Sequence, residues 1–399
     1  MRWSRYTPAS VTLEDHHGLE RVPTSRRWLG GLKPSSRPED LVNFDARHVF
    51  HDVFLSPGGD RLVAIGPPLR NLASELLPLR ASAAGWSGPG RIRTGRRTAV
   101  TTWRLPPDLA GRDELSVRLE LGSVLEREVV ARRSRLAPVE VQWVTLQKDN
   151  PTVWIVDWIR YHAGLGVERF LIYDNGSADQ AALAEALDGL EQPGEVVLVD
   201  WPYPYGPRSS RKNSFCQPCQ NRHAHLCFGQ SRWAGHFDVD EYLVLRRHGS
   251  LGELLDGTRW PDALLRFDSH WVPNVGTSIE EVGPTETITV RDFPVREREA
   301  RGMAHKYIVR EDKLRLAETH NARVALGWRR RAVDVRDGVF LHYKALTTQW
   351  RANTVRGVQE PVDSARHVED RTIVQALTAR DEEARGLSRG ARWRPRSER

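Results

Sequence analysis

Three carboxylates break an apolar run at Asp238, Asp240 and Glu241, within the stretch from Trp233 to Leu245. Burying unpaired carboxylates costs on the order of several kcal/mol each, so such a run needs a cation or a solvent edge. Read as a strand end, positions i and i+2 point the same way. Asp238 and Asp240 then face one hard cation, and Val239 faces the core. Mg²⁺ and Mn²⁺ take such oxygen ligands and share them with substrate phosphates. Taken alone, Asp-x-Asp is a common tripeptide and reads as a solvated strand end. The elements around it reverse that order.

Those elements begin at Glu140–Leu146, an apolar strand pattern interrupted by Lys148, Asp149, Asn150 and Pro151. Thr152 caps a helix over 153–162, where apolar residues recur at helical spacing and Gly164 and Gly166 end it. Residues 168–174 form a buried strand ending in Asp174, and 175–179 make a turn that caps a helix over 180–190. A strand over 195–200, a Pro-rich basic loop over 201–213 and a helix over 218–228 lead into the acidic stretch. Alternating strands and helices predict a mostly parallel sheet, whose ligands bind outside the carboxyl ends of the strands. Asp174 and the Asp238/Asp240 pair share that edge. A crevice with a metal-binding pair and a separate carboxylate for a ribose or base suits a nucleotide diphosphate. Arg208, Arg211 and Lys212 are basic candidates for its phosphates, though each reads first as solvated surface.

The rest of the chain bounds this reading. With 399 residues there is room for two domains. Residues 1–44 are rich in Pro, Ser, Gly and Arg and read as a flexible arm. Residues 45–137 alternate in short strands, with a hairpin over 49–65 and a Gly-rich loop over 85–95, and form a β-rich domain without a cluster of chemical groups. Residues 138–360 are the α/β domain, and 361–399 are a helix over about 368–385 followed by a basic tail. The net charge of +7 is carried mainly by Arg interspersed with Asp and Glu, a mixed surface except at the tail. No apolar run is long enough to span a bilayer and no signal peptide is visible. A cytoplasmic location follows as an expectation, with peripheral membrane contact through the basic tail. Cys216, Cys219 and Cys227 crowd against His223 and His225. Without a second Cys-x-x-Cys, they read as buried thiols rather than a zinc site.

Several of these motifs resemble glycosyltransferase family 92 and its family-2-like relatives. The resemblance runs through Lys148-Asp-Asn150, the helix ending at Tyr161-His162, and residues Gly166–Asp179. It continues through Gln217-Pro-Cys-Gln-Asn221, His236–Leu243, His305–Arg310, His320, Leu341–Lys344 and Arg356-Gly357. It implies a GT-A fold (Rossmann-like and doubly wound), a nucleotide-sugar donor and a divalent cation, Mn²⁺ or Mg²⁺. The transfer it implies is an inverting one. It places Asp174, Asn175, Lys148, Asn221, Asp238 and Lys306 at the donor, and Asp238, Asp240 and His342 at the metal. The donor expected is a UDP-sugar, UDP-galactose among them, and the acceptor a glycan or lipid-linked glycan. One departure is Asp149-Asn150 where the family has Asn-Glu.

An inverting transfer needs a general base on the acceptor side. Asp268, after the apolar run 263–267, is the first candidate, Glu241 the second, and Glu280, Glu281 and Glu286 lie further on. Two other readings share these residues. One is a nucleotidyltransferase using the same Asp pair. The other is a non-catalytic, Arg-rich nucleic-acid-binding protein, against which stands the lack of any helix-turn-helix, finger or aromatic RNA-binding signature. No nucleic-acid partner is expected.

Overall fold

The computed structural model describes residues 1–13, 18–25, 33–35, 37–207, 209–273, 288–318, 320–344, 346 and 361–384. The apolar runs of the middle region become the central strands of one ten-stranded sheet. Its order is Arg2–Tyr6, Glu195–Asp200, Arg169–Asp174, Val139–Gln147, Ser231–His236, Arg301–Arg310, Asp262–Val272, Gly338–Tyr343 and Glu241–Leu245. Arg329–Ala332 pairs alongside Asp262–Val272. The pairings from Arg2–Tyr6 through Ser231–His236 are all parallel, and antiparallel pairing enters at Arg301–Arg310. The sheet is therefore mixed, with a parallel half that carries the expected α/β alternation. Every residue of Arg169–Asp174 is buried, as a parallel strand covered on both faces requires.

The helix Thr152–Gly164 buries Trp154, Ile155, Trp158, Ile159, Tyr161 and His162 against that sheet. Pro151, not Thr152, is its N-cap. The helix Cys216–Phe228 covers the other face, with Phe215, Cys216, Cys219 and Cys227 packed on Leu171, Tyr173 and Val199.

Residues 52–132 form two four-stranded antiparallel sheets that enclose a shared apolar core. One consists of Asp52–Leu55, Arg61–Gly66, Ala99–Arg104 and Arg91–Thr94; the other of Leu79–Ala83, Trp86–Pro89, Glu114–Leu121 and Leu125–Arg132. Phe54, Val63 and Ile65 on the first sheet pack against Tyr173, Trp201 and Cys216 of the α/β domain. The expected Gly-rich loop over 85–95 is instead mostly strand, because Gly88 and Gly90 lie under the rings of Trp86 and Trp103, where a side chain does not fit.

Both termini depart from the expected boundaries. The flexible arm does not hold at Arg2–Tyr6, which pairs with Glu195–Asp200 as the sheet's edge strand. Trp3 Nε1 donates to Asp188 at 2.6 Å and Arg5 pairs with Asp200 at 2.7 Å. The Pro- and Ser-rich composition belongs to the residues after this strand. At the other end, Thr372–Ala384 is the expected helix, but it does not lie outside the α/β domain. Ile373 and Leu377 join the same core as Trp158, and Asp381 pairs with Arg291 at 2.6 Å. Residues 385–399, and with them the basic tail, lie outside the described residues.

Candidate active site

The acidic stretch is not a continuous strand. Ser231–His236 ends before Phe237, residues 238–240 turn, and Glu241–Leu245 starts a second strand. The same-side argument for Asp238 and Asp240 therefore does not apply, and the turn aims them at different partners. The turn is set by its own atoms: Glu241 N donates to Asp238 O at 3.0 Å, and Asp238 N donates to Glu241 Oε2 at 2.8 Å. Phe237 anchors it by stacking on Trp143, with ring centroids 5.0 Å apart. Gly235 leaves room for that stack, since a Cβ there would lie 2.7 Å from the Trp143 ring.

Asp238 receives Lys306, whose Nζ lies 2.9 Å from Oδ2. The same ammonium lies 2.7 Å from Glu241 Oε2, and both Lys306 and Glu241 are 1% exposed. Burial pushes the Glu241 carboxyl up from its ordinary value, against the pull of Lys306. Burial also disfavours the charged lysine, but Asp238 and Glu241 more than offset it and raise Lys306. Lys306, expected at the donor, is thus a buried cation holding two acids. Glu241 is not the acceptor-side base: it is enclosed and paired, and it supports the turn from behind.

Asp240 turns to the opposite strand. His342 lies across the antiparallel pair from Glu241, and its Nε2 is 3.3 Å from Asp240 Oδ2. Burial lowers the His342 ring, and Asp240 and Glu241 reverse this, so the net shift is upward. Ligand atoms of Asp240, Glu241 and His342 all lie within 4.8 Å of one another. Two carboxylates and an imidazole fit Mn²⁺ or Mg²⁺. Asp238, whose Oδ2 meets Lys306 at 2.9 Å, is not one of these three.

Of the residues expected at the donor, Asp174 ends its strand as expected, 1% exposed. Gln147, Ser177 and Gln180 side chains and the Ser177 amide all donate to its carboxylate. Burial raises its pKa, while those bonds hold the shift down. Its acceptor positions are filled by the chain's own donors, so it shapes the 175–179 turn. Asn175 does not face a ligand with its amide either. Its Nδ2 donates to Trp201 O at 2.7 Å, Tyr203 O at 2.8 Å and Cys216 Sγ at 3.3 Å, fastening the following loop. Lys148 is half-buried in the loop that Asp149 ties to this turn, through Asp149 N to Ser177 Oγ and Ala178 N to Asp149 Oδ1, each 2.8 Å.

Asn221 shares a cavity with Asp238. It accepts from His236 Nδ1 at 3.1 Å and lines a polar cavity of about 10 Å³, the space of one water, with Thr145, Gln220, His236, Asp238 and Lys306. Asn221 Nδ2, Gln220 Nε2 and Thr145 Oγ1 are buried there without a hydrogen-bond partner. Burial, with help from Lys306, lowers His236 to about 3. Such unpartnered buried atoms occur elsewhere among the described residues too, and these three share their cavity with Asp238.

Asp268 sits at a β-bulge between Phe267 and Ser269, with its side chain 33% exposed. A bulge re-aims a side chain. Asp268 Oδ1 lies 3.1 Å from His305 Nδ1, and the preceding residue, Phe267, pairs with Lys306. Glu280, Glu281, Glu286, Arg208 and Arg356 lie outside the described residues. Arg211 is exposed in a short 3-10 turn, where Asn213 accepts from the Thr24 amide and Arg70.

The cysteines are buried thiols. Burial pushes all three up, and among the described residues Cys216 and Cys219 join no metal-type grouping. His223 instead bridges Tyr173 and Asp52, each at 2.7 Å. Gln147 and Gln180 are not marked by the sequence: each is a single polar residue, made a partner of Asp174 by strand pairing for Gln147 and by the turn that follows the strand Arg169–Asp174 for Gln180.

Two aspartates just past the carboxyl end of Ser231–His236, met by Lys306 and His342 from antiparallel strands, in an α/β sheet extended by those strands, define a GT-A type of domain. The chain belongs to glycosyltransferase family 92, whose family model matches residues 145–381. It is 30% identical over 203 residues to a family 92 protein of Ricinus communis and 29% identical over 205 residues to one of Arabidopsis thaliana. Each match covers 49% of this chain and 33% of the relative, so the chain spans about a third of the length of these relatives. Two solved structures also match. S. aureus TarS 1-349 is 12% identical, covering 43% of this chain and 47% of that one, at a TM-score of 0.25. Glucosyl-3-phosphoglycerate synthase from Mycobacterium tuberculosis is 15% identical, covering 44% and 58%, at 0.24. Those scores are too low for the likeness to bear on this chain's chemistry.

Proposed function

We propose that this chain is a metal-dependent inverting glycosyltransferase that moves a sugar from a nucleotide-diphosphate donor, UDP-linked, to a glycan hydroxyl. The observation that carries this reading is the convergence of Asp240 and His342 beside the Lys306–Asp238–Glu241 triad, in a chain of family 92. Asp240 and His342 would hold the divalent cation, with Glu241 behind them. What the cation supplies, when bound, is neutralisation of the charge on the departing diphosphate. Lys306 fixes Asp238 and sets a positive charge at the same edge. The orphaned donors of Asn221, Gln220 and Thr145 await polar ligand groups or water. The loop held by Asp174 shapes the nucleoside side of the crevice.

On the acceptor side, Asp268 takes the proton of the attacking hydroxyl. That oxygen bonds to the anomeric carbon as the bond to the diphosphate breaks, and the configuration inverts. A panel of nucleotide sugars tests the reading, by release of free nucleotide with Mn²⁺, with Mg²⁺ and with chelator. One donor is expected to turn over with metal and stop with chelator. Turnover that ignores the chelator, or full activity in Asp240→Asn, contradicts it.

A further inference from the structure

The ends of two neighbouring loops expose what a folded chain normally covers. Trp260 is 77% exposed and Leu326 is 104% exposed. They project from the same end of the sheet. Asp262 pairs with Arg329 in parallel, and Arg329 N donates to Pro261 O at 3.0 Å, so the residues just before each strand emerge side by side. Trp328, between them, is drawn down instead, with Arg310 and Lys313 lying 5.2 and 4.8 Å from its ring centre.

The setting of these two knobs is basic. Arg259, Arg329, Arg330 and Arg331 flank them, with the carboxylate of Asp262 among them, and Asp256 and Asp312 further along the chain. Asp262 takes Arg329 at 2.6 Å and Arg331 at 3.6 Å. Arg259 and Arg330 are exposed and form no ion pair with the described residues.

We propose that this end of the sheet is an interfacial patch that docks on an anionic bilayer surface. An indole sits well at headgroup level, with its ring in the acyl boundary and its N–H among polar groups. Arginines beside it match anionic headgroups. Two isolated side chains are too little for a second copy of the chain, since a stable protein interface buries roughly 1,200 Å² or more. This patch is distinct from the basic C-terminal tail and does not depend on the transferase reading. It lies at the end of the sheet away from the acids. Phe267, which pairs with Lys306, is five residues along the strand from Asp262, roughly 17 Å at strand rise. A chain docked this way holds its crevice off the membrane, suited to a glycan reaching out from the surface.

The test is co-sedimentation of the full chain with vesicles of phosphatidylcholine alone or mixed with phosphatidylglycerol. Binding is expected only to the anionic vesicles, weakening as salt rises. Trp260→Ser with Leu326→Ser should weaken it about tenfold or more, which corresponds to ~1.4 kcal/mol, with an unchanged melting temperature. Arg330→Glu should weaken it further, while Arg392→Ser, Arg394→Ser and Arg396→Ser in the tail leave most of it. Three results overturn the proposal: no vesicle binding, binding that survives the double substitution, or binding lost with the tail arginines alone. A Trp260-dependent dimer without vesicle binding assigns the patch to self-association and equally overturns it.

Discussion

The crevice holds its carboxylates in two different ways. At the end of the strand Arg169–Asp174, Asp174 is balanced by neutral donors from Gln147, Ser177 and Gln180. At the acidic turn, Asp238, Glu241 and Asp240 are balanced by charges, Lys306 and His342. Hydrogen bonds from amides fix a geometry and leave the carboxylate closed to other ligands. Charge pairs leave a site whose balance can be exchanged, as the proposed binding of a cation and a diphosphate requires. The first arrangement reads as a rigid wall and the second as the working centre.

The sharpest way to break this contrast is Lys306→Met. It strands Glu241 as an unpaired buried acid, and removing one partner of such a pair costs about 3–5 kcal/mol. Denaturant unfolding should show that loss, and adding Glu241→Gln should recover most of it without restoring activity. Stability that Lys306→Met leaves intact would mean that the pair is not enclosed. Asp240→Asn comes next. It should cut nucleotide release by about a hundredfold or more, the scale of removing a preorganised electrostatic group, with little change in stability. On the wall side, Gln180→Ala removes one bond to a charged acceptor, about 1.5–3 kcal/mol. Its signature is a raised KM for the donor with kcat largely kept; an equal fall in kcat would erase the distinction between wall and centre.

The smallest effect is spread outside both sites. Burial lowers His51 to about 4 and His162 to about 3. An unfolded chain takes up these protons near pH 6.5, whereas the folded chain resists until pH 3–4. The folded pKa values are depressed, so stability is full above pH 6.5 and declines as pH falls from 6.5 toward 4. Thermal melts across that range should show it, and a melting temperature rising on acidification would contradict it.

The parallel strands and the helix Thr152–Gly164 were legible in the sequence because their apolar periodicity is local. Asp174 and Asp240 are legible as candidates because a polar residue ends an apolar run, whereas His342 enters only through the family resemblance. Their partners were not, because pairing across a sheet joins residues far apart in the chain. Lys306 meets Asp238 over 68 residues. Phe237 to Asp240 leaves no periodic signal of a turn, so the strand pattern carries across it and puts Asp238 and Asp240 on one side. The edge strand Arg2–Tyr6 was hidden for a further reason: it is half exposed and charged, as edge strands are.

The most direct measurement of the central claim is a Mn²⁺ titration followed by electron paramagnetic resonance, with and without UDP. The account predicts that Mn²⁺ binds with UDP present, that Asp240→Asn or His342→Ala abolishes it, and that Asp174→Asn leaves the metal site occupied. Equal Mn²⁺ binding in wild type and Asp240→Asn contradicts it.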